Sequence, residues 1–237
     1  LRRGLPQGVL PVVTLFYQRF CKYTVRLLLF IFRKLGIFQN KTELYFAYGA
    51  NLGPDRYEEN DIPYIDEGNA QKAGHEINFT LPCHYVGKGY ANIQKVEWER
   101  SPKYAYGRLY RISRLGLLYL DIIERVPNNY YRRDNIKFEG QRLGQVVEAW
   151  CYVACHPKEN LVPPTSYLDY MREKSKDYNF PVVYQDYLSK IKAKEHFEID
   201  HNFCFSNPAK KRPFVEKWPQ FYRAHDLVRE FFIKILP

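Results

Sequence analysis

Cysteine is scarce in this sequence. There are five in 237 residues, an odd number, and no two stand in Cys-x-x-Cys spacing. That argues against a disulfide scaffold and a zinc ribbon, and favours a reducing compartment. Glycine (13) and proline (15) are too few for a collagenous or low-complexity chain. No Walker loop, nucleophile elbow or dinucleotide fingerprint is present, and no internal repeat. Acidic residues are absent before Glu43, and the longest apolar run near the start, 27–32, is six residues. A membrane-spanning helix needs ~20.

What is present suits a packed domain. Apolar residues make up 46% and aromatics 17%, with 21 tyrosines. That is enough to build a core. The net charge of +10 is unevenly placed: residues 1–44 hold eight basic side chains and one acid. The rest carries 28 basic and 25 acidic groups, so the body is almost balanced and offers no nucleic-acid footprint.

The basic N-terminal segment, residues 1–42, reads as a helix. At ~100° per residue, Arg19, Lys22, Arg26 and Arg33 fall within about 60° of one another, leaving most of the circumference apolar. An organelle presequence, a membrane-surface helix, a helix buried against partner subunits and a packing helix of the same domain all fit. The first residue is Leu1 rather than Met, which fits a fragment or a product of organelle import.

Residues 43–188 read as a mixed α/β domain. Strands are expected at Glu43–Tyr48, Gln71–Leu81, Tyr90–Val96, Tyr104–Ile112, Tyr130–Glu139 and Gln145–Ala154. Tyr104, Tyr106, Arg108 and Tyr110 alternate with Ala105, Gly107 and Leu109, the two-residue period of a strand. Ser113 reads as the N-cap of a helix over Arg114–Glu124. Two further helices are expected at Thr165–Glu173 and Pro181–Lys194. Residues 189–237 form an appendix, a proline-rich strap containing Lys210-Lys211-Arg212 and ending in a helix from about Ala224.

Two places could carry chemistry. A strand that runs into Tyr48-Gly49-Ala50-Asn51-Leu52 would expose successive backbone N–H groups, with Gly49 adopting a conformation closed to other residues. Such a nest binds a carboxylate or phosphate; a plain tight turn is the alternative. Asp121 and Glu124 share a helix face, and Glu124 lies where the helix dipole disfavours an acid. Such a carboxylate is either paired with Arg125, Arg132 or Arg133, or kept for proton transfer. Cys83-His84 and Cys151, Cys155, His156 lack the spacing for one tetrahedral ion, so no metal is expected.

In order along the chain, these landmarks resemble the γ-glutamylcyclotransferase-like (AIG2-like) family. Tyr45-Phe46-Ala47-Tyr48-Gly49-Ala50-Asn51-Leu52 is similar to its Tyr-Gly-Ser-Asn-Leu signature. Gly107-Arg108-Leu109-Tyr110 resembles its Gly-x-Val/Leu-Tyr strand, and Leu120-Asp121-Ile122-Ile123-Glu124 its Leu-Asp-x-x-Glu helix end. Tyr130-Tyr131-Arg132, Pro164-Thr165-Ser166-Tyr167-Leu168 and Phe180-Pro181-Val182-Val183-Tyr184 follow in place, so the likeness covers about residues 44–188. It implies an α+β fold, a small mixed β-barrel flanked by helices, with a cavity for a γ-glutamyl group. It also implies Glu124 as general acid/base, the Tyr48–Leu52 segment (Tyr48, Gly49, Ala50, Asn51, Leu52) as binder of the substrate carboxylate, and no cofactor or metal.

Three positions depart from the family pattern. Ala50 replaces the usual Ser, Arg125 stands where Gly is common, and Lys174 falls where a Gly-Ala pair precedes the last helix. A guanidinium at 125 would depress the pKa of Glu124 and crowd the cavity mouth. With the added extensions, this favours a catalytically quiet accessory subunit of a mitochondrial membrane assembly. Its partners, protein subunits or a membrane surface, would be met through residues 1–42 and 189–237, with no nucleic acid involved. The alternative is an active cyclotransferase releasing 5-oxoproline from a γ-glutamyl small molecule, cytoplasmic if the N-terminal segment is no address.

Overall fold

A computed structural model describes residues 42–83, 85–96, 104–126 and 130–195, with helical residues 23, 24, 26, 27, 30 and 31. The rest of the expected N-terminal helix, the strap beyond residue 195 and the helix near Ala224 lie outside the described residues.

Among the described residues seven strands form: β1 (Thr42–Ala47), β2 (Tyr64–Ala73), β3 (His75–Pro82), β4 (Gly89–Lys95), β5 (Tyr104–Ser113), β6 (Tyr131–Gly140) and β7 (Gln145–Ala154). The helices are α1 (Asp55–Glu59), α2 (Arg114–Ile123), α3 (Thr165–Asp177) and α4 (Val182–Lys190). Strands β1-β5-β2-β6-β7 close into a barrel, and β3-β4 form a separate hairpin. The barrel pairs are antiparallel except β1–β7, which meet in parallel at Tyr45 and Trp150. The fold is thus α+β with a small mixed barrel, as the sequence implied.

Alternation along the strands feeds two cores, one on each face of the barrel wall. On β1, Phe46 and the following Tyr48 join one cluster, while Tyr45 and Ala47 join the other. On β7, Ala149 and Cys151 go one way and Tyr152 and Ala154 the other. The first cluster contains the stacked pair Phe46–Phe138, ring centroids 4.0 Å apart, and continues to Leu168 and Met171 of α3. The second seats Leu117 and Leu120 of α2 and Tyr57 of α1. Gly107 lets β1 approach: a Cβ there would lie 2.3 Å from the Ala47 carbonyl oxygen and 2.5 Å from the Phe46 ring.

Four expectations need correction. The single strand expected over Gln71–Leu81 is two, because the chain breaks at Gly74 (φ 69°) and passes from the barrel to the separate hairpin, and β2 already begins at Tyr64. Helix α1, not expected, follows Pro54, which suits a first helical turn. Helix α4 stops at Lys190 rather than Lys194. Arg172 of α3 donates to the carbonyls of Leu188, Ser189 and Ile191, satisfying the end of α4, and Lys194 then pairs with Pro164. Helix α3 runs on to Asp177. Ser113 caps α2 as its position predicts, its Oγ accepting the Gly116 N–H at 3.0 Å.

Candidate active site

Buried tyrosines fix the loop after β1. The Tyr57 hydroxyl donates to the Asn51 carbonyl (3.0 Å), and the Tyr110 hydroxyl donates to the Leu52 carbonyl (2.6 Å). The Gly53 N–H donates to the Tyr170 hydroxyl at 2.9 Å. Within the loop, the Leu52 N–H closes on the Gly49 carbonyl at 3.0 Å. Among the described residues, the N–H groups of Gly49, Ala50 and Asn51 have no acceptor.

The expected nest is therefore revised. Leu52 is buried at 1% exposure, does not line the cavity, and uses its N–H in the turn, so it is not a binding residue. Gly49 does not have a positive φ. Its role is close approach: a Cβ there would lie 2.5 Å from the Tyr167 hydroxyl oxygen and 3.3 Å from the Ala91 Cβ. Gly49→Ala is expected to cost about 1–3 kcal/mol in urea unfolding through overpacking. Adding Tyr167→Phe, which removes the clashing atom, should recover much of it; no recovery would assign the glycine another role.

The two carboxylates at the end of α2 part company. Asp121 turns to the barrel wall, where its Oδ2 accepts from Arg133 at 2.8 Å and its Oδ1 from the Tyr152 hydroxyl at 2.8 Å. Arg133 in turn lies over the Trp150 ring, 4.6 Å from its centroid. Arg132 pairs with Asp134. Glu124, at the C-cap of α2, turns the other way and lines a cavity of about 620 Å³. Its Oε1 accepts from Asn51 Nδ2 at 2.9 Å, and the same Nδ2 reaches the Tyr45 hydroxyl at 2.9 Å.

The cavity opens where β1, the β3–β4 hairpin and the start of α3 meet. Tyr48, Gly49, Ala50 and Asn51 line it on the loop side. Among the described residues, eight tyrosines contribute to its wall, including Tyr45, Tyr131, Tyr152 and Tyr167. Burial pushes the Tyr45, Tyr48, Tyr131 and Tyr152 phenols well above their ordinary range, so they remain protonated. Several hold the frame in place: Tyr48 donates to the Tyr152 carbonyl and Tyr131 to the Ala91 carbonyl, both at 2.6 Å.

Among the described residues, Glu124 is the cavity's only acid, and Arg56 and Arg125 are its two bases. Burial raises the Glu124 pKa, and this outweighs the Asn51 hydrogen bond and the Arg56 and Arg125 charges that lower it. The expected depression by Arg125 is thus overruled by desolvation. Arg125 has φ 55°, a left-handed conformation that glycine adopts freely, which is the physical reason a glycine suits this position. Sequence reasoning missed Arg56 and the tyrosine wall; the 21 tyrosines were the available signal for the second. Among the described residues, no group of three or more His, Cys, Asp and Glu side chains could hold a metal ion.

Comparison with known proteins accords with this geometry. Residues 104–188 match the AIG2-like family. The matched segment carries β5, α2 and Glu124, while the loop after β1 lies before it. Solved structures extend the likeness. A γ-glutamyl cyclotransferase superposes with a TM-score of 0.57 at 20% identity, over 68% of this chain and 95% of its own. The uncharacterized protein loc79017 of Homo sapiens gives 0.58 at 21%, over 68% and 95%. YkqA from Bacillus subtilis gives 0.55 at 20%, over 65% and 56%. At these identities the likeness shows the fold alone. No curated protein matches the sequence.

Proposed function

We propose that the domain is an acid–base catalyst of the γ-glutamyl cyclotransferase type. The observation that carries this reading is Glu124: a half-buried carboxylate with raised pKa, facing an open cavity beside three free backbone N–H groups. Asn51 links the two, since its backbone belongs to the loop and its side chain orients the carboxylate.

The chemistry is ring closure. The α-carboxylate of a γ-glutamyl amine sits against the N–H groups of Gly49, Ala50 and Asn51. The α-nitrogen attacks the substrate's own γ-carbonyl, a carbon–nitrogen bond forms, and the bond to the leaving amine breaks. An α-ammonium gives up two protons on becoming the lactam N–H, and the leaving nitrogen gains two on departing as an ammonium. Glu124 carries them one at a time. Both reacting groups are on one molecule, so orientation and proton transfer suffice, without metal or cofactor. Release of 5-oxoproline from a γ-glutamyl amine tests the reading, with Glu124→Gln as the decisive variant.

A second role is supported by the N-terminal segment, which is basic and free of acids up to Glu43. Arg26 donates to the Glu59 carbonyl at 2.7 Å, while Tyr23, Leu27, Phe30 and Ile31 remain exposed. Among the described residues, no helix is long and apolar enough to cross a membrane. The exposed apolar side chains support attachment to a membrane surface or assembly by an apolar helix face. Removing residues 1–41, which leaves β1 whole, should shift the protein from the membrane pellet to the soluble fraction. Unchanged co-sedimentation would end this second reading.

A further inference from the structure

Ring closure by nitrogen attack passes through a tetrahedral carbon. As the carbon–nitrogen bond forms, the π pair of the γ-carbonyl moves onto its oxygen. That pair returns when the leaving nitrogen departs with a proton from Glu124. An oxygen that gains charge in a dry site needs a hydrogen-bond donor already in place. The N–H groups of Gly49, Ala50 and Asn51 are taken up by the substrate carboxylate, and Glu124 by the protons. The donor must come from elsewhere on the wall.

Four phenols of that wall have committed their hydrogens. Tyr48 and Tyr131 give theirs to the Tyr152 and Ala91 carbonyls, Tyr152 to Asp121 Oδ1, and Tyr130 to the Pro82 carbonyl. Tyr45 differs. Its Oη accepts from Asn51 Nδ2, and among the described residues nothing accepts its own O–H. The side chain lines the cavity, so that hydrogen has the cavity to turn to. Tyr167, whose hydroxyl accepts the Ala91 N–H at 3.3 Å, lies against Gly49, at the carboxylate end.

Asn51 sets the spacing. Its Nδ2 is 2.9 Å from both Tyr45 Oη and Glu124 Oε1, so phenol and carboxylate lie within two hydrogen-bond lengths of each other. The amide oxygen Oδ1 is buried without a partner among the described residues. An acceptor left in that state costs free energy. Turned over, the amide would offer that oxygen to the Tyr45 hydrogen, but would also set it against the Glu124 carboxylate. The charge on Glu124 therefore holds the amide as it stands and keeps the Tyr45 O–H available. Burial, with the Glu124 charge nearby, keeps the phenol protonated and so a donor.

We propose that Tyr45 is a second catalytic residue, its hydroxyl donating to the oxygen of the γ-carbonyl as that carbon becomes tetrahedral. This rests on the cyclotransferase reading and adds to it the group that stabilises the oxyanion. The test uses the full chain and Tyr45→Phe, which removes one hydroxyl and leaves the Asn51–Glu124 bond. With γ-glutamylalanine as probe, kcat should fall by about 10²–10³, the usual cost of losing one such donor, with KM little changed. The unfolding temperature should stay close to that of the parent. A second probe, a γ-phosphinate analogue with tetrahedral phosphorus in place of the γ-carbon, is read by thermal stabilisation, without turnover. It should stabilise the parent, and Tyr45→Phe should lose most of that effect. An unchanged kcat, a rise in KM alone, or phosphinate stabilisation that survives the substitution overturns the inference and leaves the cyclotransferase reading standing. Phosphinate stabilisation that Tyr45→Phe abolishes, with no 5-oxoproline from the parent, sustains Tyr45 as the oxyanion donor and overturns the chemistry. Neither turnover nor Tyr45-dependent stabilisation overturns both.

Discussion

Glu124→Gln is expected to lower kcat/KM for 5-oxoproline release by about 10²–10⁴, the usual contribution of a positioned proton carrier. The fold should stay intact. Glutamine keeps an oxygen for the Asn51 N–H bond and removes a charge that burial disfavours, so the variant should unfold no earlier than the parent. The pH profile is a second check. Glu124 accepts the first proton only when ionised, and burial raises its pKa above the ordinary value of 4.5. Activity in the parent should therefore fall on the acid side at a pH above that of an exposed glutamate, and this limb should be missing from any residual activity of the variant. A variant as active as the parent would remove Glu124 from the chemistry and return the domain to a purely structural role.

The features legible in the sequence are those written locally. The alternation from Tyr104 to Tyr110 gives β5, and Ser113 before an apolar helix gives the cap and start of α2. The barrel itself came from the ordered resemblance, since closing β1 on β7 is a contact between distant segments that no local pattern records. Gly74 was hidden in a run that reads as one strand, because a single glycine there is as compatible with a bulge as with a break between two sheets. Glycine at 49 suggested an unusual φ, but its cause is a tyrosine hydroxyl arriving from α3, over a hundred residues away. The same limit applies at Glu124. Its awkward place at a helix end was visible, whereas the partner that holds it, Asn51, is brought by folding. The outcome of burial against two nearby arginines depends on desolvation, which a sequence does not state.

The other large effect is on stability and comes from the carboxylate that turned away. The Asp121 side chain is 3% exposed and its partner Arg133 24%, so the pair is largely out of water. Breaking such a pair by removing one partner typically costs about 3–5 kcal/mol, because the remaining charge is left uncompensated. Arg133→Leu should show that loss in urea unfolding at pH 8. The loss should shrink on acidification. Burial already lifts the Asp121 pKa to about 6 in the intact protein, against the lowering effect of Arg133 and the Tyr152 hydroxyl. A pKa raised above the unfolded value of ~3.9 means that the folded state holds the proton more tightly. That contribution is complete below pH ~4 and is lost as pH rises through about 6. Removing Arg133 takes away the largest opposing influence, so the folded pKa climbs further and the window moves to higher pH. At pH 5 the aspartate of the variant is then neutral and still hydrogen-bonded to Tyr152, and most of the penalty disappears. Adding Asp121→Asn to Arg133→Leu should restore much of the stability at pH 8, since an amide oxygen can accept the same Tyr152 hydrogen bond without bringing a charge. A loss equal at pH 5 and pH 8 would assign the effect to the Arg133 stem packed on Trp150, not to the buried pair. Asp121 and Glu124 leave the same helix end, so the Arg133–Asp121 pair anchors the turn that carries Glu124. If that anchor matters, Arg133→Leu should reduce kcat at pH 8 even after normalisation to the folded fraction, which a general loss of folded protein would not do.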